Sequence, residues 1–131
     1  MNIKELEATL PGGFHNALLR CYRVDLTAKT AHFRLQLCVR DPHSRHETIR
    51  EAYRSADLVL SGLEYFFVDA PDPTYPREAP WQIDLCDPDP GFTARYDTPL
   101  NGFASRFYSS ATNVFIHFAA VSAAIIYEDE Q

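Results

Sequence analysis

The chain has 131 residues, 46% of them hydrophobic and 23% charged, with nine Phe and seven Tyr. At that size folding hides roughly two-thirds of the surface of the unfolded chain, so one core can form without disulfides or metal, and disorder of the chain as a whole is excluded. The formal charge of -6, from 12 Lys+Arg against 18 Asp+Glu, argues against a nucleic-acid partner, whose binding needs clustered cations.

The N-terminal residues predict one short helix. Asn2 and Glu5 are spaced as an N-cap and its reciprocal partner, Ile3, Leu6 and Leu10 form a narrow apolar stripe, and Pro11, Gly12 and Gly13 break the chain. Acids stand where a signal peptide needs a basic start followed by an apolar run, so no export is expected. The longest apolar stretch, 114–126, is interrupted by His117 and Ser122 and is shorter than the roughly 20 apolar residues of a spanning helix, so no membrane segment is expected. Cys21, Cys38 and Cys86 are odd in number, widely spaced and lack a C-x-x-C pair, which favours neither a disulfide framework nor a zinc clip and suits a reducing cytoplasm.

Leu18, Tyr22, Val24 and Leu26 at even positions, then Phe33, Leu35, Leu37 and Val39 at odd positions, read as two strands of a hairpin around residues 27–30. Opposed residues share a face, so the pairing must join even to odd numbers. Two registers meet this condition, one setting Cys21 opposite Cys38 and the other offsetting them; the first makes a reversible disulfide conceivable. Residues 41–53 are polar and stay unassigned.

Residues 56–69 are apolar on both faces, as expected of a central strand, with a bend or bulge at Gly62 that would turn a sandwich or barrel corner. Four prolines among residues 70–80 predict a loop. Trp81, Ile83 and Leu85 read as a short strand, Asp87 to Gly91 as a turn, and 103–109, 114–119 and 121–127 as three final strands with a tight turn at 110–113. No repeat or linker divides the chain. The expectation is a single domain over residues 1–131, all-β, a mainly antiparallel sandwich or partly open barrel with the short N-terminal helix on an edge or end.

No G-x-S-x-G elbow, Walker loop, Rossmann fingerprint or H-E-x-x-H occurs, so no catalytic residue and no cofactor is nominated. His15 and Asn16, just after the Gly12–Gly13 break, could present a side chain to a cleft, or satisfy backbone groups where the first strand begins. His117 shares a strand face with Phe115 and Ala119 and, if that face is covered, needs a hydrogen-bond partner. Asp41, His43, His46 and Glu47 form the most metal-like cluster, although solvated loop side chains explain them as well and no metal site is assigned. Turn chemistry explains the acids at 69–72 and 87–89. Tyr75, in the Pro-rich loop, and Trp81 after it are contact candidates, since Tyr and Trp often anchor interfaces; Trp81 could equally close the core beneath the loop.

The run Gly13-Phe14-His15-Asn16-Ala17-Leu18, leading straight into a strand, resembles the opening of a loose group of small bacterial β proteins in which a His-Asp-Ala element begins the first strand. Some of these look like immunity proteins of polymorphic-toxin systems. Tyr53 and the run Leu58 to Leu63 are similar in spacing to a second element of that group, so the likeness covers roughly the first half of the chain, with Asn16 in place of the acid. The resemblance implies an all-β fold and toxin neutralisation, with no catalytic residue carried over.

Three functional readings follow. The first is a non-enzymatic protein-binding module, an immunity-like inhibitor that meets a basic protein with an acidic, aromatic surface. The second is a small-molecule-binding barrel or enzyme with a pocket containing His15 or His117. The third is a subunit that self-associates as a homo-oligomer through an open sheet edge.

Overall fold

The computed structural model describes residues 1–38, 53–75, 81–89 and 102–128. The cluster at Asp41, His43, His46 and Glu47 and the turn residues 90 and 91 lie outside these. Helix α1 spans Ile3–Ala8, and eight strands follow: β1 (Leu18–Asp25), β2 (Thr30–Cys38), β3 (Tyr53–Ser61), β4 (Tyr65–Val68), β5 (Leu85–Pro88), β6 (Phe103–Ser109), β7 (Val114–Ala120) and β8 (Ser122–Tyr127). They form two four-stranded antiparallel sheets, ordered β1-β2-β3-β8 and β4-β7-β6-β5. The architecture is the expected all-β sandwich, with no closed barrel. Among the described residues no helix is long and apolar enough to cross a membrane.

The expected capping box closes α1: Glu5 N donates to Asn2 Oδ1 (2.8 Å) and Asn2 N to Glu5 Oε1 (3.2 Å). Ile3 and Leu6 are buried, and the Met1 carbonyl accepts from Ala123 N, which ties the chain start to β8. Glu7 reaches past the helix to accept from Phe14 N, fixing the turn at Gly12 and Gly13.

The β1–β2 hairpin follows neither expected register. Asp25 Oδ1 accepts from Thr27 N and Ala28 N, and Lys29 takes a left-handed φ of 55°, so the ladder closes at Asp25 opposite Thr30. Leu26 is thereby thrown into the loop, 83% exposed, instead of extending the strand. Cys21 pairs with Arg34, not Cys38, and all three cysteines are free. A bulge between Leu19 and Cys21 then changes the inward set, so that Leu19 rather than Leu18 packs on the core.

These thiols differ in reach. Cys21 is exposed, whereas burial, followed by the charges of Glu7 and Asp87, pushes the Cys86 thiol up. Iodoacetamide at mildly alkaline pH is expected to label Cys21 first and to reach Cys86 and buried Cys38 only on unfolding; equal labelling of all three in the folded protein, read by mass spectrometry, would contradict this placement.

The sheets are joined at a corner. β3 runs into β4 through residues 62–64, and β7 into β8 through Val121, whose N–H donates to the Ser61 carbonyl (3.0 Å). Ser61 pairs with Ser122 on one side of the corner and Tyr65 with Ala119 on the other, leaving three residues on one strand against two on its partner. This one-residue bulge switches the β7–β8 strand from even residues inward (Ile116, Phe118) to odd ones (Ala123, Ile125). The expected bend at Gly62 is therefore present, but only the β3 half of the 56–69 run is central; β4 is an edge strand.

Gly62 has φ 65°, and a Cβ there would lie 2.6 Å from Val121 Cγ2. Left-handed strain and overpacking together should cost Gly62→Ala about 2–4 kcal/mol. A urea midpoint within error of the parent would show that the corner relaxes freely.

A second transfer occurs at residues 81–85. Leu19 N donates to Trp81 O and Ile83 N to Ala17 O on the β1 side, while Asp84 N donates to Tyr108 O on the β6 side. This crossing corrects the simple alternation expected for Trp81, Ile83 and Leu85: Ile83 is buried, whereas Leu85, past the transfer, is 43% exposed. It also brings Asp87 and Pro88, expected in a turn, into strand β5.

Between the sheets lies an aromatic core. Phe33, fully buried on β2, meets Phe66, Phe107 and Phe118 of the second sheet at centroid distances of 5.4–5.7 Å, and Phe14 packs edge-on to Phe107 at 5.3 Å.

Candidate functional site

Alternation on the second sheet places one residue set in the core and the other on the outer face. The outer set comprises Tyr65, Phe67 and Asp69 from β4 and its extension, Phe115, His117 and Ala119 from β7, Ala104, Arg106 and Tyr108 from β6, and Leu85, Asp87 and Asp89 from β5 and its extension. One row across the sheet reads Phe67, His117, Arg106, Asp87.

His117 is the centre of this face. Its Nε2 lies 3.0 Å from Asp69 Oδ1 and its Nδ1 3.2 Å from Asp89 Oδ2, so carboxylates from both edges of the sheet converge on one ring. The imidazole is 12% exposed, Asp89 3% and Asp69 38%. Asp89 also accepts from the Tyr65 hydroxyl. Tyr65 reaches it from the opposite edge, across Ala119 and Ala104, where larger side chains would block the path. Asp69 is fixed by its backbone as well: Phe115 N donates to Asp69 Oδ2 and Asp69 N to the Phe115 carbonyl.

Rings pave the same face. Phe67 stacks on His117 (4.2 Å between centroids, 11° between planes), Tyr65 stacks on Phe67 (5.6 Å), and Phe115 lies between His117 (5.8 Å) and Tyr108 (4.6 Å). Arg106 lies 4.4 Å over the Phe115 ring and pairs with Asp87 through both Nε (2.9 Å) and an Nη (3.2 Å). The hydrogen bond to Asp87, first among several carboxylate influences, holds the guanidinium still more firmly charged.

Asp72 anchors the end of the face where the β4 loop meets the β6–β7 turn. Its carboxylate accepts from Thr74 Oγ1, Thr74 N and Asn113 Nδ2, and these bonds, the Thr74 hydroxyl first, lower its proton affinity. Asn113 in turn accepts from the Tyr108 hydroxyl.

Of the residues singled out in the sequence, His117 alone is in this cluster. His15 is exposed and its Nδ1 donates to the Asp84 carbonyl (3.0 Å). Asn16 adopts φ 68° and accepts from Gln82 Nε2 (2.6 Å), so both serve the chain where β1 begins. Trp81 is half-buried against the core. Tyr75 is 39% exposed, with its N–H donating to the Asp72 carbonyl, which puts it on the rim near Asp72. Asp69 and Asp89 were readable only as turn acids, because their meeting at His117 depends on strands far apart in sequence. The available signal was the alternation Tyr65, Phe67, Asp69, a wet face on a run otherwise read as doubly covered.

Among the described residues no group of three His, Cys, Asp or Glu side chains is arranged to hold a metal ion. Three cavities lined by described residues lie elsewhere: about 630 Å³ at the Gly62 corner beside Lys29 and Glu64, 380 Å³ around Cys21 and Arg34, and 180 Å³ between α1 and β5. No protein-family model, curated protein or solved structure matches the chain.

Proposed function

We propose that the chain is a non-enzymatic protein-binding module whose docking face is the outer side of the second sheet and whose partner is a basic protein, in the manner of an immunity-like inhibitor. The observation that carries this reading is the continuous layer of rings flanked by Asp69 and Asp72 on one side and Asp84, Asp87 and Asp89 on the other. Rigid aromatic rings give contact area at little entropic cost, and a carboxylate rim steers a cationic partner and excludes anionic ones. The formal charge of -6 acts in the same sense at long range. Internal hydrogen bonds use part of each carboxylate, which fixes its position, and further lone pairs remain for a ligand.

A catalytic role for His117 fits less well, since a general base needs a ring nitrogen facing a nucleophile and both nitrogens here face carboxylates. The free cysteines suit a reducing, cytoplasmic setting.

The reading is tested by purifying the N-terminally tagged protein from its native cells, identifying any near-stoichiometric partner, and measuring that partner's affinity for Tyr108→Ala, Tyr75→Ala and Asp72→Asn. A basic partner should bind these variants about tenfold or more weakly, and bind Arg23→Ala, on the first sheet, as the parent does. Equal affinity for all four, or capture of no protein, overturns it.

A further inference from the structure

We propose that His117 is a proton-operated clasp: doubly protonated, it ties both edges of the second sheet to its middle, and loss of one proton releases Asp69 and the loop that follows it. The geometry sets the donor count. Two carboxylates face the two ring nitrogens, and both contacts are hydrogen bonds only when both nitrogens carry hydrogen. A neutral ring keeps one N–H and turns a lone pair toward the other carboxylate.

The two acids are unequal. Asp89 is 3% exposed and also holds the Tyr65 hydroxyl, so leaving it without the imidazole would strand a buried charge. Asp69 is 38% exposed and can exchange its contact for water. The remaining hydrogen therefore stays on Nδ1, toward Asp89, and the Nε2–Asp69 contact opens. Asp69 leads directly into the segment containing Asp72 and Tyr75, so the released end is the rim of the docking face.

The surroundings favour the doubly protonated ring on one side and oppose it on the other. From β4 and its extension come Tyr65 and Asp69, and from β5 and its extension Asp87 and Asp89; on β6, directly opposite, stands Arg106, a like charge engaged by Asp87. Asp72 lies further out, held by Thr74 and Asn113. Phe67 and Phe115 cover the ring. Histidine is the side chain suited to switch between about pH 5 and pH 8.

The test uses the isolated full chain, followed by NMR between about pH 5 and pH 9. The Asp69 and Phe115 amide shifts should move with the midpoint of the His117 ring nitrogens. The protection factor of the Phe115 amide, which donates to Asp69, should fall about tenfold above that midpoint. His117→Gln should abolish the transition, and Asp69→Asn should remove it from residues 69–75 while the ring still titrates. Amides that stay flat through the His117 midpoint, a transition that persists in either variant, or a ring that keeps one protonation state across the range overturns the clasp. Only the consequence for docking, weaker partner binding above the midpoint, rests on the function proposed above. A partner affinity that ignores an intact titration would count against that docking face and leave the clasp standing.

Discussion

Phe33→Ala should cost about 3–5 kcal/mol of folding stability, the range for deleting a buried aromatic ring. Phe33 is fully buried on a central strand of the first sheet, and its ring touches Tyr22 of the neighbouring strand and Phe66, Phe107 and Phe118 of the opposite sheet. Neighbours on three sides are themselves anchored in ladders, so the void can collapse only in part. Because a domain of this size has a total stability of about 5–15 kcal/mol, the variant should sit near the edge of folding at 37 °C. Urea unfolding of the two proteins measures this. A midpoint shift worth less than about 1.5 kcal/mol would place Phe33 outside the shared core.

Asp89→Ala should cost about 3–5 kcal/mol, the usual penalty for removing one member of a buried ionic pair. The loss has two parts: the Tyr65 hydroxyl is left without the acceptor it reaches across two alanines, and His117 loses the carboxylate at Nδ1. Asp89→Asn keeps an acceptor for Tyr65 and removes the charge, so it should fall between parent and alanine. Tyr65→Phe should cost only about 1 kcal/mol, because Asp89 keeps His117. If all three variants unfold with the parent, Asp89 is a solvated loop acid and the outer-face network does not hold the sheet edges. The two effects should add in Phe33→Ala/Asp89→Ala, since Phe33 is in the core and Asp89 on the opposite surface of the second sheet.

Fold class was legible in the sequence because burial on one face of a strand imposes period-two alternation, and 30–38, 103–109 and 114–120 carry it cleanly. The Asn2–Glu5 box announced α1, and Gly62 announced a corner. Register was less legible. The parity of the β1–β2 pairing was constrained by the apolar faces, but the offset was decided by Asp25, whose carboxylate captures two backbone N–H groups and opens the loop before Leu26. The transfer of residues 81–85 between sheets was hidden for a similar reason: Trp81, Ile83 and Leu85 alternate in sequence, yet the strand changes partners between Ile83 and Asp84.

The site was legible only at its centre. His117 could be marked as needing a partner, because an imidazole between Phe115 and Ala119 on a covered strand face requires one. Which partner could not be read, since Asp69 and Asp89 lie 48 and 28 residues away and become neighbours only through the strand order β4-β7-β6-β5. Trp81 illustrates the converse: a residue type common at interfaces is used here to close the core where the chain passes from one sheet to the other.

The docking assignment is tested most directly by amide hydrogen exchange of the chain with and without its captured basic partner. New protection should concentrate in residues 65–75 and 104–117, the β4 edge, its loop and the β6–β7 hairpin, and leave 20–25 and 53–61 of the first sheet unchanged. Protection confined to the first sheet, or to the Gly62 corner, would contradict the assignment of the acidic, ring-paved face as the binding surface.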